Sequence, residues 1–294
     1  GAMTGRMLEG IEKIVLEEKP DVVLVYGDTN STLAGAIAAA KLHVPVAHVE
    51  AGLRSFNLAM PEEVNRTLTD RVSTFLFCPT NTAVENLENE GYPFQLPHEN
   101  KQQILNVGDV MYDATLFYRE KACSTYDLST WGLDKKGYVL CTLHRAENTD
   151  DPSRLNSIFK AILETNKDVP VVLPLHPRTK QKLESLGNHY SLEEIKVLEP
   201  LSYLEMQFLE MNAQCILTDS GGVQKEAFFH EVPCITLRDE TEWVETVNLG
   251  CNKIVGSSFE AIISAFDYDA ECDFSAKPYG EGDAADKIIS SLAI

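Results

Sequence analysis

The chain has 294 residues, enough for two domains of ordinary size, with the hydrophobic (44%) and charged (24%) fractions of a globular protein rather than a disordered one. A formal net charge of −20 argues against a protein that holds nucleic acid on a basic surface, and no apolar run has membrane-spanning length. The seven cysteines include no CxxC pair, which gives neither a disulfide framework nor a zinc ribbon and suits a reducing cytoplasm.

Residues 4–18 read as an amphipathic helix with Met7, Leu8, Ile11, Ile14 and Val15 on one side. A chain that opens on a helix, with no strand before it, reads as one whose first βαβ units lie outside it. Residues 21–26 (DVVLVY) form a continuous apolar run, the pattern of a strand buried on both faces. An Ala-rich helix over 32–42 follows, then a strand over 44–49. Pro61-Glu62-Glu63 opens another helix, with proline in the first turn and acids near the positive helix end. The pattern continues with a strand over 75–78, a helix over 80–90, a strand over 104–107 and a helix over 109–121.

A polar, less periodic stretch over 123–136 reads as the crossing between domains, after which the alternation restarts. Strands are expected over 138–143, 169–175, 195–198, 215–217 and 234–237, with helices over 155–165, 180–186, 203–211 and 223–230. An amphipathic helix over 284–292 closes the chain. This alternation predicts an α/β protein with two doubly wound, Rossmann-like domains facing across a cleft. The expected division is an incomplete N-terminal domain over 1–122, a C-terminal domain over 123–280, and a last segment over 281–294 that packs back on the first.

The segment Thr218-Asp219-Ser220-Gly221-Gly222-Val223-Gln224-Lys225-Glu226 stands out within this frame. A strand, a small-residue turn and a helix in that order put the backbone N–H groups of Ser220, Gly221 and Gly222 at a helix N-terminus. Free donors and the positive end of the helix dipole converge there, which suits a phosphate. Glu226, one helical turn on, is within reach of sugar hydroxyls. An ordinary Ser-capped helix would use the same residues. What weighs against that is placement: Asp28, Glu50, His144, His176 and Ser220 each fall just past the C-terminal end of an expected strand, where α/β sheets bind ligands. No GxxxxGK[ST], strand-linked GxGxxG or HExxH is present, so ATP hydrolysis, nicotinamide chemistry and a metal centre have no support.

Six motifs in register, Gly27-Asp28-Thr29-Asn30-Ser31-Thr32, His48-Val49-Glu50-Ala51-Gly52-Leu53-Arg54, Met60-Pro61-Glu62-Glu63-Val64-Asn65-Arg66, His144-Arg145-Ala146-Glu147-Asn148, His176-Pro177-Arg178 and Asp219-Ser220-Gly221-Gly222-Val223-Gln224, resemble the non-hydrolysing UDP-N-acetylglucosamine 2-epimerases. The resemblance runs from Met3 to the last helix. It implies the glycosyltransferase-B architecture, a UDP-sugar substrate, a homodimer, no metal and no cofactor. It implies that Asp28, Glu50 and Glu62 act as acid–base groups at C2 and that His144 acts on the departing phosphate oxygen. By the same resemblance Ser220, Gly221 and Gly222 hold the diphosphate and Glu226 the ribose. Arg54, Arg66, His176 and Arg178 are the weaker candidates, for substrate or for a regulatory nucleotide-sugar.

Lys225-Glu226 after the loop glutamine, Trp243 after Glu242, Asn57 and Asn148-Thr149-Asp150-Asp151-Pro152 are similar to the UDP-2,3-diacetamido-2,3-dideoxyglucuronate 2-epimerases of surface-polysaccharide synthesis. The extra cation Lys225 suits a uronate, and a solvated helix face explains it equally. The family's first strand and its Gly-x-Arg-Pro loop have no counterpart here. A hydrolysing 2-epimerase, a retaining glycosyltransferase and a non-catalytic UDP-sugar-binding protein remain as alternatives.

Overall fold

The computed structural model describes residues 1–96, 101–175, 177–185, 192–266 and 272–293. It divides into two compact units, residues 1–113 with 277–294 and residues 114–276. The helix Val110–Thr125 begins in the first unit and ends in the second, and the polar stretch 123–136 lies in the second.

The first unit is built on four parallel strands, β1 (Val23–Tyr26), β2 (Val46–Val49), β3 (Phe75–Cys78) and β4 (Gln103–Asn106), in that spatial order. β2 and β3 are buried at every position, whereas β1 leaves Leu24 and Tyr26 exposed, which corrects its reading as a strand buried on both faces. The alanines of the helix Asn30–Lys41 let it lie close to the sheet: Ala34, Ala36, Ala38 and Ala39 are all buried. Gly52, at φ +79°, passes so near the Ala83 carbonyl that a Cβ would sit 2.2 Å from its oxygen, so only glycine fits. The closing helix Ala284–Leu292 sends Ile288 into the core beside Val49, Phe75 and Phe77. Its first turn donates from Ala284 N and Ala285 N to the Asp113 carboxylate, at 3.2 and 2.8 Å.

The second unit holds six parallel strands, β5 (Val139–Thr142), β6 (Val171–Pro174), β7 (Lys196–Leu198), β8 (Cys215–Thr218), β9 (Cys234–Thr236) and β10 (Asn252–Ile254). Their spatial order is β10-β9-β8-β5-β6-β7. Successive residues of β5 face opposite cores: Val139 and Cys141 join one, Tyr138 and Leu140 the other. The chain leaves β5 through β6 to the edge strand β7, then returns to lay β8 on the other side of β5. The strand order therefore reverses between β5 and β8, the position in an open α/β sheet where ligands bind. β10 and the helix Phe259–Phe266 went unpredicted, since Asn252-Lys253-Ile254 carries no apolar run. Among the described residues, no helix is long and apolar enough to cross a membrane.

Candidate active site

Asp28 and Glu50 follow β1 and β2, which pair in register through Tyr26 and Val49, so the two acids leave the same edge of the sheet side by side. A Cβ on Gly27 would lie 3.2 Å from Glu50 Oε2, which places the Glu50 carboxylate against the turn that carries Asp28. The helix Pro61–Val72 completes the group. Asn65 Nδ2 donates to the Asp28 carbonyl at 2.8 Å, and the Arg66 guanidinium donates to the Asp28 carboxylate and, at 2.8 Å, to Glu63 Oε2. Glu62 is half-buried one turn ahead of Asn65 and Arg66, hence on the helix face that meets Asp28. Structure thus gathers Asp28, Glu62 and Arg66 around one turn, with Glu50 beside it. The neighbouring acid Glu63 instead shapes the loop before the helix, its carboxylate accepting from Ser55 N, Ser55 Oγ and Phe56 N at 3.0 Å each.

Arg54 turns inward. Its guanidinium donates to Asp70 Oδ2 at 2.7 Å, to both Glu90 oxygens at 2.7 and 2.8 Å and to the Leu53 carbonyl, and its side chain is 2% exposed. This corrects its reading as a substrate contact, because its donors are used within the fold. The same Asp70 accepts from His48 Nδ1 at 2.7 Å and from Gly52 N, while His48 Nε2 donates to the Gly27 carbonyl at 2.8 Å. Burial raises the Asp70 carboxyl, but His48 and Arg54 outweigh it and hold the group below its ordinary value. A chain Glu90–Arg54–Asp70–His48, running from the exposed Glu90 into the interior, therefore ends on the carbonyl just before Asp28. Sequence reading missed His48 and Asp70 as supports. The one available signal was a histidine inside a strand that is otherwise wholly apolar.

In the second unit the strand reversal brings together the loops after β5 and β8. Asp219, fully buried, ties them: it accepts from His144 N at 3.1 Å, Arg145 N at 2.9 Å and Asn148 Nδ2 at 3.3 Å. The His144 imidazole stays exposed, with Nδ1 3.4 Å from Asp219 Oδ1. Ser220 caps the helix Gly221–Phe229, its Oγ accepting from Val223 N. The Ser220 N–H donates to Thr218 Oγ1 at 2.9 Å and is not open to a ligand, which corrects the expectation for that amide. The N–H groups of Gly221 and Gly222 remain as the open donors among the described residues.

Nitrogen atoms ring this turn. A Cβ on Gly221 would lie 3.4 Å from Trp243 Nε1, 3.8 Å from Arg238 Nη1 and 3.9 Å from Arg145 Nη2. Arg238 is buried and paired with both oxygens of Glu242 at 3.0 and 3.1 Å. Neither arginine was singled out from the sequence, although Arg145 directly follows His144 and Arg238 stands within two residues of the end of β9, at the same sheet edge. Lys225 is 1% exposed, its ammonium 4.0 Å from the centroid of the Trp243 ring, so the solvated-face reading is corrected.

Glu226 is also buried, with Oε1 accepting from Gln207 Nε2 at 2.7 Å. Burial pushes its carboxyl up to about 7, against the lowering effects of Lys225 and Gln207. Glu210 is buried and raised well above the ordinary range, first by burial and then by Glu226. A carboxyl held above its unfolded value stabilises fully below about 4.5, and for Glu226 that contribution is gone once the pH has passed about 7. Glu210→Gln removes one such group. Its melting temperature relative to wild type is therefore expected to rise as the pH increases above about 4.5, a shift that calorimetry reads directly.

His176 lies outside the described residues, and Arg178 falls in the first turn of the helix Pro177–Ser185. Among the described residues, no three His, Cys, Asp or Glu side chains are placed to hold a metal ion.

Two parallel-sheet α/β units, with chemically capable loops at the carboxyl ends of their strands, define a Rossmann-like protein of the glycosyltransferase-B type. Residues 1–293 match the family model of the UDP-N-acetylglucosamine 2-epimerases, and the chain belongs to that family. A Pseudomonas aeruginosa protein named UDP-2,3-diacetamido-2,3-dideoxy-D-glucuronate 2-epimerase is 53% identical, over 100% of this chain and 80% of that one. The crystal structure of the Methanocaldococcus jannaschii UDP-GlcNAc 2-epimerase, in complex with UDP-GlcNAc and UDP, superposes with a TM-score of 0.87 at 46% identity, covering 98% of this chain and 80% of that chain. The Neisseria meningitidis UDP-GlcNAc 2-epimerase bound to UDP-GlcNAc gives 0.84 at 32% identity, covering 98% and 80%.

Proposed function

We propose that this protein inverts C2 of a UDP-2-acetamido sugar reversibly and without hydrolysis, with a 2,3-diacetamido uronate as the preferred sugar, for surface-polysaccharide synthesis. The observation that carries this reading is the loop after β8. At the strand reversal it presents the Gly221 and Gly222 amides and the Ser220 hydroxyl beside Arg145, Arg238 and an exposed His144. Such a donor set fits a diphosphate. The 53% identity to the P. aeruginosa diacetamido-glucuronate enzyme supports the choice of sugar.

The chemistry asks for these residue types. C2–H of a sugar is not acidic until the C1–O bond to UDP breaks and leaves an oxocarbenium-like C1. A carboxylate then takes the C2 proton and a glycal forms. A proton returned to the opposite face, followed by re-addition of UDP, gives the epimer. Inversion needs acid–base groups on both faces of the ring, the role we give Asp28, Glu50 and Glu62. Arg66 donates to the Asp28 carboxylate and orients it. His144 serves the departing phosphate oxygen and Glu226 the ribose. The resemblance also implies a homodimer, which sedimentation tests.

The deciding experiment follows UDP-N-acetylglucosamine and its diacetamido-uronate analogue in D₂O by proton NMR. Deuterium at C2 with the nucleotide still linked to the sugar is the expected result, faster with the uronate. Stoichiometric release of UDP would instead make the enzyme hydrolytic, and exchange that needs an added acceptor would make it a glycosyltransferase.

A further inference from the structure

Behind Glu226 lies a buried polar group that the reaction itself does not use. Gln207, on the helix Tyr203–Asn212, is fully buried. Its Nε2 donates to Glu226 Oε1 at 2.7 Å and to Glu210 Oε2 at 3.3 Å, and its Oε1 accepts from His230 Nε2 at 2.8 Å. All three contacts fix which way the amide points. With two carboxyls on one side, the NH₂ must face them and the carbonyl must face the imidazole. His230 is buried, and burial first, then Arg119 and Lys136, push it down to about 3, so the ring is neutral. Its single proton then sits on Nε2, toward Gln207, and Nδ1 has no hydrogen-bond partner. His230 thus acts as a stop that prevents the Gln207 amide from flipping.

We infer that Gln207 is a positioning residue: it holds Glu226 Oε1 so that Oε2 is aimed at the ribose hydroxyls, and so lets the protein tell a ribonucleotide from a 2′-deoxyribonucleotide. Glu226 Oε2 accepts no hydrogen bond among the described residues, whereas Oε1 is fully engaged by a donor from a rigid neighbouring helix. A carboxylate clamped at one oxygen cannot rotate away from its ligand, and a hydrogen bond to a charged acceptor is of the stronger kind. Burial holds the Glu210 carboxyl well above its ordinary range, which opposes a second negative charge in the group. This inference rests on the ribose role proposed above for Glu226.

The test is titration calorimetry with UDP and 2′-deoxy-UDP, at a pH of about 8 where Glu226 is ionised. Wild type is expected to prefer UDP by about tenfold or more. Gln207→Met keeps the chain length and removes the amide. It should weaken UDP by about tenfold and 2′-deoxy-UDP by less than about twofold, so that the preference collapses. His230→Phe, which removes the stop, should shift the ratio the same way by a smaller factor. A melting temperature close to wild type shows that the change is not loss of fold. If Gln207→Met keeps the wild-type preference, or His230→Phe does where Gln207→Met does not fold, the positioning role is overturned while the ribose role stands. If wild type shows no preference, or Glu226→Gln retains it in full, the ribose role itself fails and the inference falls with it.

Discussion

Asp28→Asn is expected to slow deuterium incorporation at C2 by about 10²- to 10⁴-fold, the range a positioned acid–base group supplies, with UDP still bound. Asparagine has the size of aspartate and keeps the turn, whose backbone is held independently by Asn65 Nδ2 on the Asp28 carbonyl and by His48 Nε2 on the Gly27 carbonyl. Arg66 keeps Glu63 as a partner, so the variant does not leave a buried guanidinium unpaired. Glu62→Gln should behave alike, because this half-buried acid on the first turn of its helix carries no support for the fold comparable to that of Glu63. The readout is the rate at which the C2 proton signal disappears, alongside a UDP titration of each variant. Unchanged exchange in both variants would remove Asp28 and Glu62 from the acid–base set.

Asp70→Asn should cost about 3–5 kcal/mol of stability, the usual penalty for breaking a buried ion pair from one side. Arg54 and His48 are held by Asp70 where water does not reach, and an amide presents one acceptor oxygen where the carboxylate presents two. Urea unfolding measures the loss as a lower midpoint with an unchanged slope. The Glu9–Lys13 pair gives the contrast: it is fully solvated, and Lys13→Ala should leave the midpoint where it was. Acid acts in the same direction as the substitution. The Asp70 carboxyl is held below its ordinary value, so its stabilisation is present above about pH 4 and is lost as the pH falls through its folded value. Because His48 carries the effect on to the Gly27 carbonyl, a surviving Asp70→Asn protein should also exchange the C2 proton more slowly. An unfolding free energy within about 0.5 kcal/mol of wild type would show that the Glu90–Arg54–Asp70–His48 chain is not a support.

Much of the scaffold was legible because strand and helix signals are local. The run Phe75–Cys78 and the helix Ala284–Leu292 fall where periodicity puts them, and the Ala-rich segment 32–42 became the helix Asn30–Lys41. β10 was missed because a three-residue edge strand bearing Asn and Lys has too little pattern to register. Side-chain direction was harder. Arg54 and Lys225 looked like surface cations available to a ligand, since charge implies exposure as a rule, but each found a buried partner further along the chain: Asp70 for Arg54, Trp243 for Lys225. The Ser220 amide looked open until the hydroxyl of Thr218, two residues earlier, proved to be its acceptor.

By itself the sequence determined which residues end up past the carboxyl ends of strands: Asp28, Glu50, His144 and Ser220 follow short, mainly apolar runs that form strands. It also determined that Gly221 and Gly222 open a helix. Only the tertiary structure decided which of those ends become neighbours. Strand order β10-β9-β8-β5-β6-β7 sets His144 beside Asp219 across 75 residues of chain, and the Asp219 carboxylate locks that pairing. Periodicity reports how one segment meets water, whereas strand order, the inward turn of Arg54 and the clamp of Gln207 on Glu226 follow from the packing of distant segments, which no local pattern encodes.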